Sequence, residues 1–188
     1  MKRLFIGVPI RSEKVFQTTE TWRNNEFLNR NVLKWAKPEN WHITLIFLGN
    51  TSESEIALIQ QLIVESFSRV QAFSTELIGV GVFPNTHKPK VLWLGLESLQ
   101  FLMPAYTRLG ELLQQNGFSL ENKPFKPHLT LAMVKNSAHL LSINLIIDEY
   151  QNFKFDSVLI NRVVLYESIS MPDGPVYKPL FVKELEGK

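Results

Sequence analysis

The chain has 188 residues, 45% of them hydrophobic and 20% charged, with a formal net charge of +2 and no cysteine. That balance excludes a disordered tail, a collagen-like repeat and a coiled coil, and no window approaches the ~18 consecutive apolar residues of a membrane span. The lack of cysteine rules out disulfides, thiolate metal sites and cysteine nucleophiles and fits a reducing cytoplasm, while the near-neutral charge leaves room only for a local basic patch.

One unit spanning residues 1–188 is expected. Its start, Met1-Lys2-Arg3 before an apolar run to Ile10, has the polarity of a signal peptide. The run stops at Arg11 with no small-residue cleavage site behind it, so Lys2 to Ile10 reads as a buried first strand. Ser12 can cap a helix carrying Val15, Thr19 and Trp22 and ending near Asn29. Val32 to Ala36 is a short apolar run, Lys37-Pro38-Glu39-Asn40 is turn chemistry, and Trp41 to Leu48 is a strand stopped by Gly49-Asn50. Ser52-Glu53-Ser54-Glu55 has capping-box spacing and opens a helix with Ile56, Ile59, Leu62, Ile63 and Phe67 on one face.

Phe73 to Phe83 and Lys90 to Leu96 read as strands around a turn-rich segment. A helix follows from about Leu99 to a stop at Asn116-Gly117. Phe125 to Val134 is a strand with Pro127 near its start, and Asn136 to Ile147 admits a short helix. Phe153 to Phe155, Val158 to Glu167 and Val176 to Val182 close the chain as strands. Several strand pairs lack a helix between them, so the class is α+β with largely antiparallel sheet.

A short phrase occurs twice. Residues 42–45 read His-Ile-Thr-Leu and residues 128–131 read His-Leu-Thr-Leu. From composition, a given histidine meets such a triplet roughly twice in a thousand, and two hits among four histidines point to a duplication with two lobes. On a strand, His42 and Thr44 share one face while Ile43 and Leu45 face a core, and His128 and Thr130 repeat the arrangement. A pseudo-twofold relation brings both polar faces into one groove. Two imidazoles supply a general acid and a general base near neutral pH, and two hydroxyls can donate to phosphate oxygens.

With these motifs the sequence resembles the 2H phosphoesterases, defined by a pair of H-x-T-x motifs. The flanking text is similar to the bacterial and archaeal RNA 2′,3′-cyclic phosphodiesterases, also called 2′-5′ RNA ligases. The similar stretches are Arg3 to Ile6, Val32 to Gly49, Gly79 to Asn85, Pro89 to Leu96, Lys123 to Lys135 and Leu165 to Ser168, in the same order over nearly the whole chain. The resemblance implies a bilobal α+β fold with an antiparallel sheet and flanking helices in each lobe and the active-site groove between them. It also implies hydrolysis of a 2′,3′-cyclic phosphate to a 2′-phosphate without metal or cofactor, with weak reverse 2′-5′ ligation as a side reaction. By the family's pattern His128 is the base, His42 the acid, and Thr44 and Thr130 hold the phosphate. The expected partners are RNA ends or nucleotides carrying the cyclic phosphate, met by a monomer in the cytoplasm and not by a membrane protein.

Two positions depart from the family's usual text, both by loss of positive charge. Met133 stands where many members carry arginine, and Ile46 where a basic residue often precedes Phe-Leu-Gly. On a regular strand residue 133 faces away from His128 and Thr130, so an arginine there reaches a phosphate only around the strand edge or through a twist or bulge. Lys135, on the same strand face as Met133, is the candidate substitute. Lys34, Lys37, Lys123 and Lys126 can steer an RNA end. His87 reads as a solvated loop residue, His139 carries no partner pattern, and the four tryptophans read as core, with Trp35 and Trp41 the candidates for lining the groove. Absent are H-E-x-x-H, G-x-S-x-G, a phosphate-binding loop and a dinucleotide fingerprint. A catalytically silent nucleotide-binding module, or a 2H enzyme for a small cyclic nucleotide or a 2′-5′ oligonucleotide, stays open as an alternative.

Overall fold

The computed structural model describes residues 1–24, 28, 32–121, 124–135 and 140–187. Its strands are β1 (Lys2–Pro9), β2 (Leu33–Trp35), β3 (His42–Thr51), β4 (Phe73–Phe83), β5 (Val91–Leu96), β6 (His128–Val134), β7 (Lys154–Ile160), β8 (Arg162–Met171) and β9 (Gly174–Glu184). The helices are α1 (Glu13–Arg23), α2 (Ile56–Phe67), α3 (Met103–Gln115) and α4 (Leu140–Tyr150). This is the expected α+β class.

The strands form one antiparallel sheet in the order β7-β4-β5-β6-β3-β1-β8-β9, with β2 added beside β6. It has two four-stranded halves, each built on one motif strand. Their ladders meet at a single residue pair, Ile43 opposite Leu129, so the pseudo-dyad passes between the two motifs. Strands β7 and β8 lie far apart in this order yet are consecutive in the chain, with only Asn161 between them. The sheet is therefore curled until its far regions approach each other. Backbone bonds from Leu185 N to Asn161 O (2.8 Å) and from Ala72 N to Glu186 O (2.8 Å) tie that seam.

Local signals account for the elements. The Ser12 hydroxyl accepts from Val15 N at 3.1 Å and caps α1, a contact worth about 1 kcal/mol. The Ser52–Glu55 capping box forms as spaced, around a short 3₁₀ turn (Glu53–Glu55) that leads into α2. The hydrophobic stripes then bury Val15 and Trp22 of α1, Ile59, Leu62, Ile63 and Phe67 of α2, and Leu109 and Leu113 of α3.

Several boundaries differ from the sequence reading. Gly49 and Asn50 do not stop β3, which runs on to Thr51 with Gly49 at φ +71°; an irregularity at Leu48 absorbs the kink while pairing with β1 continues. Strand β6 starts at His128 and not at Phe125, because Pro124 and Pro127 cannot donate to a ladder. The apolar run from Val158 to Glu167 is split between β7 and β8 at Asn161. In the segment read as a short helix from Asn136 to Ile147, α4 is Leu140–Tyr150 and runs past Ile147, while α1 ends at Arg23 with Asn24 as its cap, short of Asn29; residues 136–139, with His139, and Lys123 lie outside the described residues.

Candidate active site

Counting outward from Ile43–Leu129 in an antiparallel ladder sets His42 level with Thr130 and Thr44 level with His128. The histidines thus occupy one diagonal of a four-residue patch and the threonines the other. All four line one cavity of about 530 Å³.

Each histidine is anchored in the same way. His42 Nδ1 lies 2.6 Å from Asn40 O, and His128 Nδ1 lies 2.7 Å from Lys126 O, two residues upstream in both motifs. A carbonyl only accepts, so Nδ1 carries the proton and donates, leaving Nε2 as the working nitrogen of both rings. In His42 that nitrogen lies 3.0 Å from the Thr44 hydroxyl.

The surroundings of the two rings differ. His42 packs against Phe5 at 4.7 Å, edge-on to Tyr177 at 5.0 Å, with Tyr166 at 6.2 Å. Gly7 makes this packing possible, since a Cβ there would stand 2.9 Å from Ile43 O and 3.3 Å from His42 Cδ2. His128 meets Phe83 edge-on at 4.9 Å and Trp93 at 6.4 Å. Burial pushes the His42 imidazole below its ordinary value, opposed by the bond to Asn40 O and reinforced by the charge of His128.

A feature shared by both motifs corrects the strand-face argument. Ile6 pairs with Ile46 and Gly7 with Thr44, so Leu45 is an extra residue in β3. Leu92 pairs with Ala132 and Trp93 with Thr130, so Leu131 is an extra residue in β6. Both are bulges placed directly after the motif threonine, and a bulge reverses the alternation beyond it. Leu45 and Ile46 are buried in succession, as are Leu131 and Ala132, and then Phe47 and Met133 emerge 58% and 48% exposed. Both line the cavity. Met133 therefore faces the histidine side.

Two H-x-T-x strands anchored alike and converging on one cavity are the decisive arrangement, and comparison with known proteins agrees. The model of the 2'-5' RNA ligase superfamily matches residues 12–169. The chain belongs to that superfamily. It is 32% identical to an RNA 2',3'-cyclic phosphodiesterase of Thermotoga maritima, over 98% of this chain and 96% of that one. It is 36% identical to another of that name from Archaeoglobus fulgidus, over 81% and 84%. The crystal structure of TT0787 of Thermus thermophilus superposes with a TM-score of 0.77 at 29% identity, covering 99% of both chains.

Of the remaining candidates in this superfamily member, Lys135 does not reach the cavity. It follows the end of β6, its N–H bonds Val32 O at 2.8 Å, and it lines a separate hollow beside α1 and β2. Ile46 is packed in the core, 7% exposed. Lys34, Lys37 and Trp35 line the cavity, Trp41 is buried, and His87 is exposed in its turn. Sequence reasoning missed Arg3, Phe47 and Tyr177, which also line it. Arg3 and Phe47 lay inside the family-like stretches, but Tyr177 carries no motif. Among the lining residues Arg3, Lys34 and Lys37 face one carboxylate, Asp173, a balance suited to an anionic ligand. Among the described residues no three His, Cys, Asp or Glu side chains are grouped to hold a metal ion, and no helix is long and apolar enough to cross a membrane.

Proposed function

We propose that this chain hydrolyses the 2′,3′-cyclic phosphate of RNA ends or nucleotides to a 2′-phosphate. The reading is carried by the pairing of two identically anchored imidazoles across one cavity, each with a hydroxyl beside it. The phosphate rests between Thr44 and Thr130, whose hydroxyls donate to its non-bridging oxygens. Water attacks phosphorus opposite the 3′-oxygen. His128 Nε2 takes the water proton, the P–O3′ bond breaks, and His42 delivers its Nε2 proton to the departing 3′-oxygen. The products are a 2′-phosphate and a free 3′-hydroxyl, and both rings end in exchanged protonation states that solvent resets.

The burial of His42 favours a second reading in which the roles are exchanged. Burial disfavours the charged form of the His42 ring, and a neutral ring is the state a base requires. With either assignment we read the protein as one two-lobed domain, supported by the single continuous sheet, acting as a monomer in the cytoplasm, a compartment that a cysteine-free chain suits.

The test is product analysis after incubation with a 2′,3′-cyclic nucleotide in excess EDTA. The expected product is the 2′-phosphate, formed at the same rate with and without chelator. A 3′-phosphate product, or activity lost to EDTA and restored by a divalent ion, overturns the mechanism.

A further inference from the structure

We propose that Lys34 binds a second phosphate of the substrate, the one on the 5′ side of the terminal nucleotide, so that the cavity reads an RNA end and not only its cyclic phosphate. This rests on the reading of the histidine cavity as a nucleotide site.

Lys34 stands on β2 opposite Met133 of β6. Opposed residues of an antiparallel ladder send their side chains to the same face, and the bulge at Leu131 has turned that face toward the cavity. Lys34 accordingly lines it together with His42, His128 and Thr130. Its strand is held firmly. Arg23 donates to Ala36 O at 3.0 Å and lays its guanidinium 5.4 Å over the Trp35 ring, fixing the residues that follow Lys34.

The ammonium is available. Lys34 enters none of the ion pairs among the described residues. Its Cε and Nζ each lie 3.8 Å from the point a Cβ on Gly174 would occupy, at the tip of the β8–β9 hairpin. Gly174 has φ +120°, a conformation that favours glycine, so the hairpin tip meets the Lys34 ammonium with backbone and no side chain. Asp173, beside Gly174, is the one carboxylate among the residues that line the cavity.

The spacing selects the ligand group. Met133 lies three residues along β6 from Thr130, roughly 10 Å at strand rise, so its cross-strand partner stands well away from a phosphate resting between the threonines. Between the two sites the wall is the apolar, half-exposed side chain of Met133, which suits sugar or base and not charge. The nearest further anion of an RNA 3′ end is the phosphodiester on the 5′-oxygen of the same terminal nucleotide. Lys34 is placed to meet that anion, and Lys37 on the same cavity adds to the field.

Calorimetric titration with adenosine 2′-phosphate and with adenosine 2′,5′-bisphosphate tests this without depending on turnover. The native protein should bind the bisphosphate about tenfold more tightly, the worth of one charge-assisted contact. Lys34→Ala should bring the ratio of the two affinities close to one, and Lys34→Arg should keep it. Added salt should erode the native ratio. The proposal is overturned if the native protein shows no bisphosphate preference, or if the preference survives Lys34→Ala in a variant with an unchanged near-UV spectrum. Turnover of a 2′,3′-cyclic nucleotide by the native protein reports separately on the catalytic reading, so the two can fail independently.

Discussion

The half of the molecule that carries His42 and the half that carries His128 repeat the same local design. Both present an imidazole fixed by the carbonyl two residues upstream, a threonine two residues downstream, and a bulge that brings residue 47 or 133 back to the cavity. They differ in what surrounds that design. His42 sits among Phe5, Tyr166 and Tyr177, from three strands, while His128 has Phe83 and Trp93 from two. The repeated motif supplies two equal tools, and the packing around them makes the tools unequal. Acid and base are therefore to be sought in the neighbours and not in the motifs.

The largest effect that can break this comparison comes from the histidines. His42→Ala and His128→Ala should each lower kcat on a 2′,3′-cyclic nucleotide by ~10²- to 10⁴-fold; losses below tenfold for both would end the two-imidazole mechanism. The two variants should part company on a phosphodiester with a 4-nitrophenolate leaving group, which needs no proton to depart. There His42→Ala recovers most of its loss and His128→Ala does not. The opposite pattern makes His42 the base.

A smaller effect probes the positions after the bulges. Met133→Arg should lower KM for the cyclic phosphate about tenfold with little change in kcat, because the bulge at Leu131 opens the route and a charge-assisted contact is worth ~1.5–3 kcal/mol. An unchanged KM would mean that the resemblance between the Phe47 and Met133 positions is one of backbone alone.

The smallest effect is on stability. The folded protein holds His42 below the ordinary imidazole value, so the unfolded chain binds the proton more readily. Stability should be fully expressed above pH ~6.5 and should fall as the pH drops below it. His42→Gln should flatten this part of the melting-temperature profile, and His128→Gln should flatten it less. Equal slopes for the native protein and His42→Gln would remove the burial asymmetry. The same ring should set the acid limb of kcat/KM below ~6.5, with a shape that does not depend on which histidine is the base.

Much of this was legible in the sequence because it is local. Strand faces, the Ser12 cap, the Ser52 box and the His-x-Thr phrases depend on residues within a few positions of each other. The rest depends on pairing between distant segments. Leu45 and Leu131 look like ordinary inward residues of alternating strands, and only their mismatch with β1 and β5 shows them as bulges. That hidden extra residue is why Met133 turns inward and why Lys34, on another strand, and not Lys135 lines the cavity. The aromatic surroundings of His42 were illegible for the same reason, since Tyr166 and Tyr177 stand far from it in the chain. The break at Asn161 was hidden inside one continuous apolar run.

The passage from β7 to β8 through Asn161 has a consequence for biosynthesis. A chain emerging from the ribosome N-terminus first has delivered both His-x-Thr motifs and every strand of the second half once Ile160 has appeared. The first half still lacks β8, which pairs with β1 and carries Tyr166, and β9, which pairs with β8 and carries Tyr177. The surroundings of the first histidine are thus completed by the last part of the chain to be made. A nascent or prematurely terminated product that ends before β8 owns all four motif residues and yet lacks the aromatic wall that differentiates its two imidazoles.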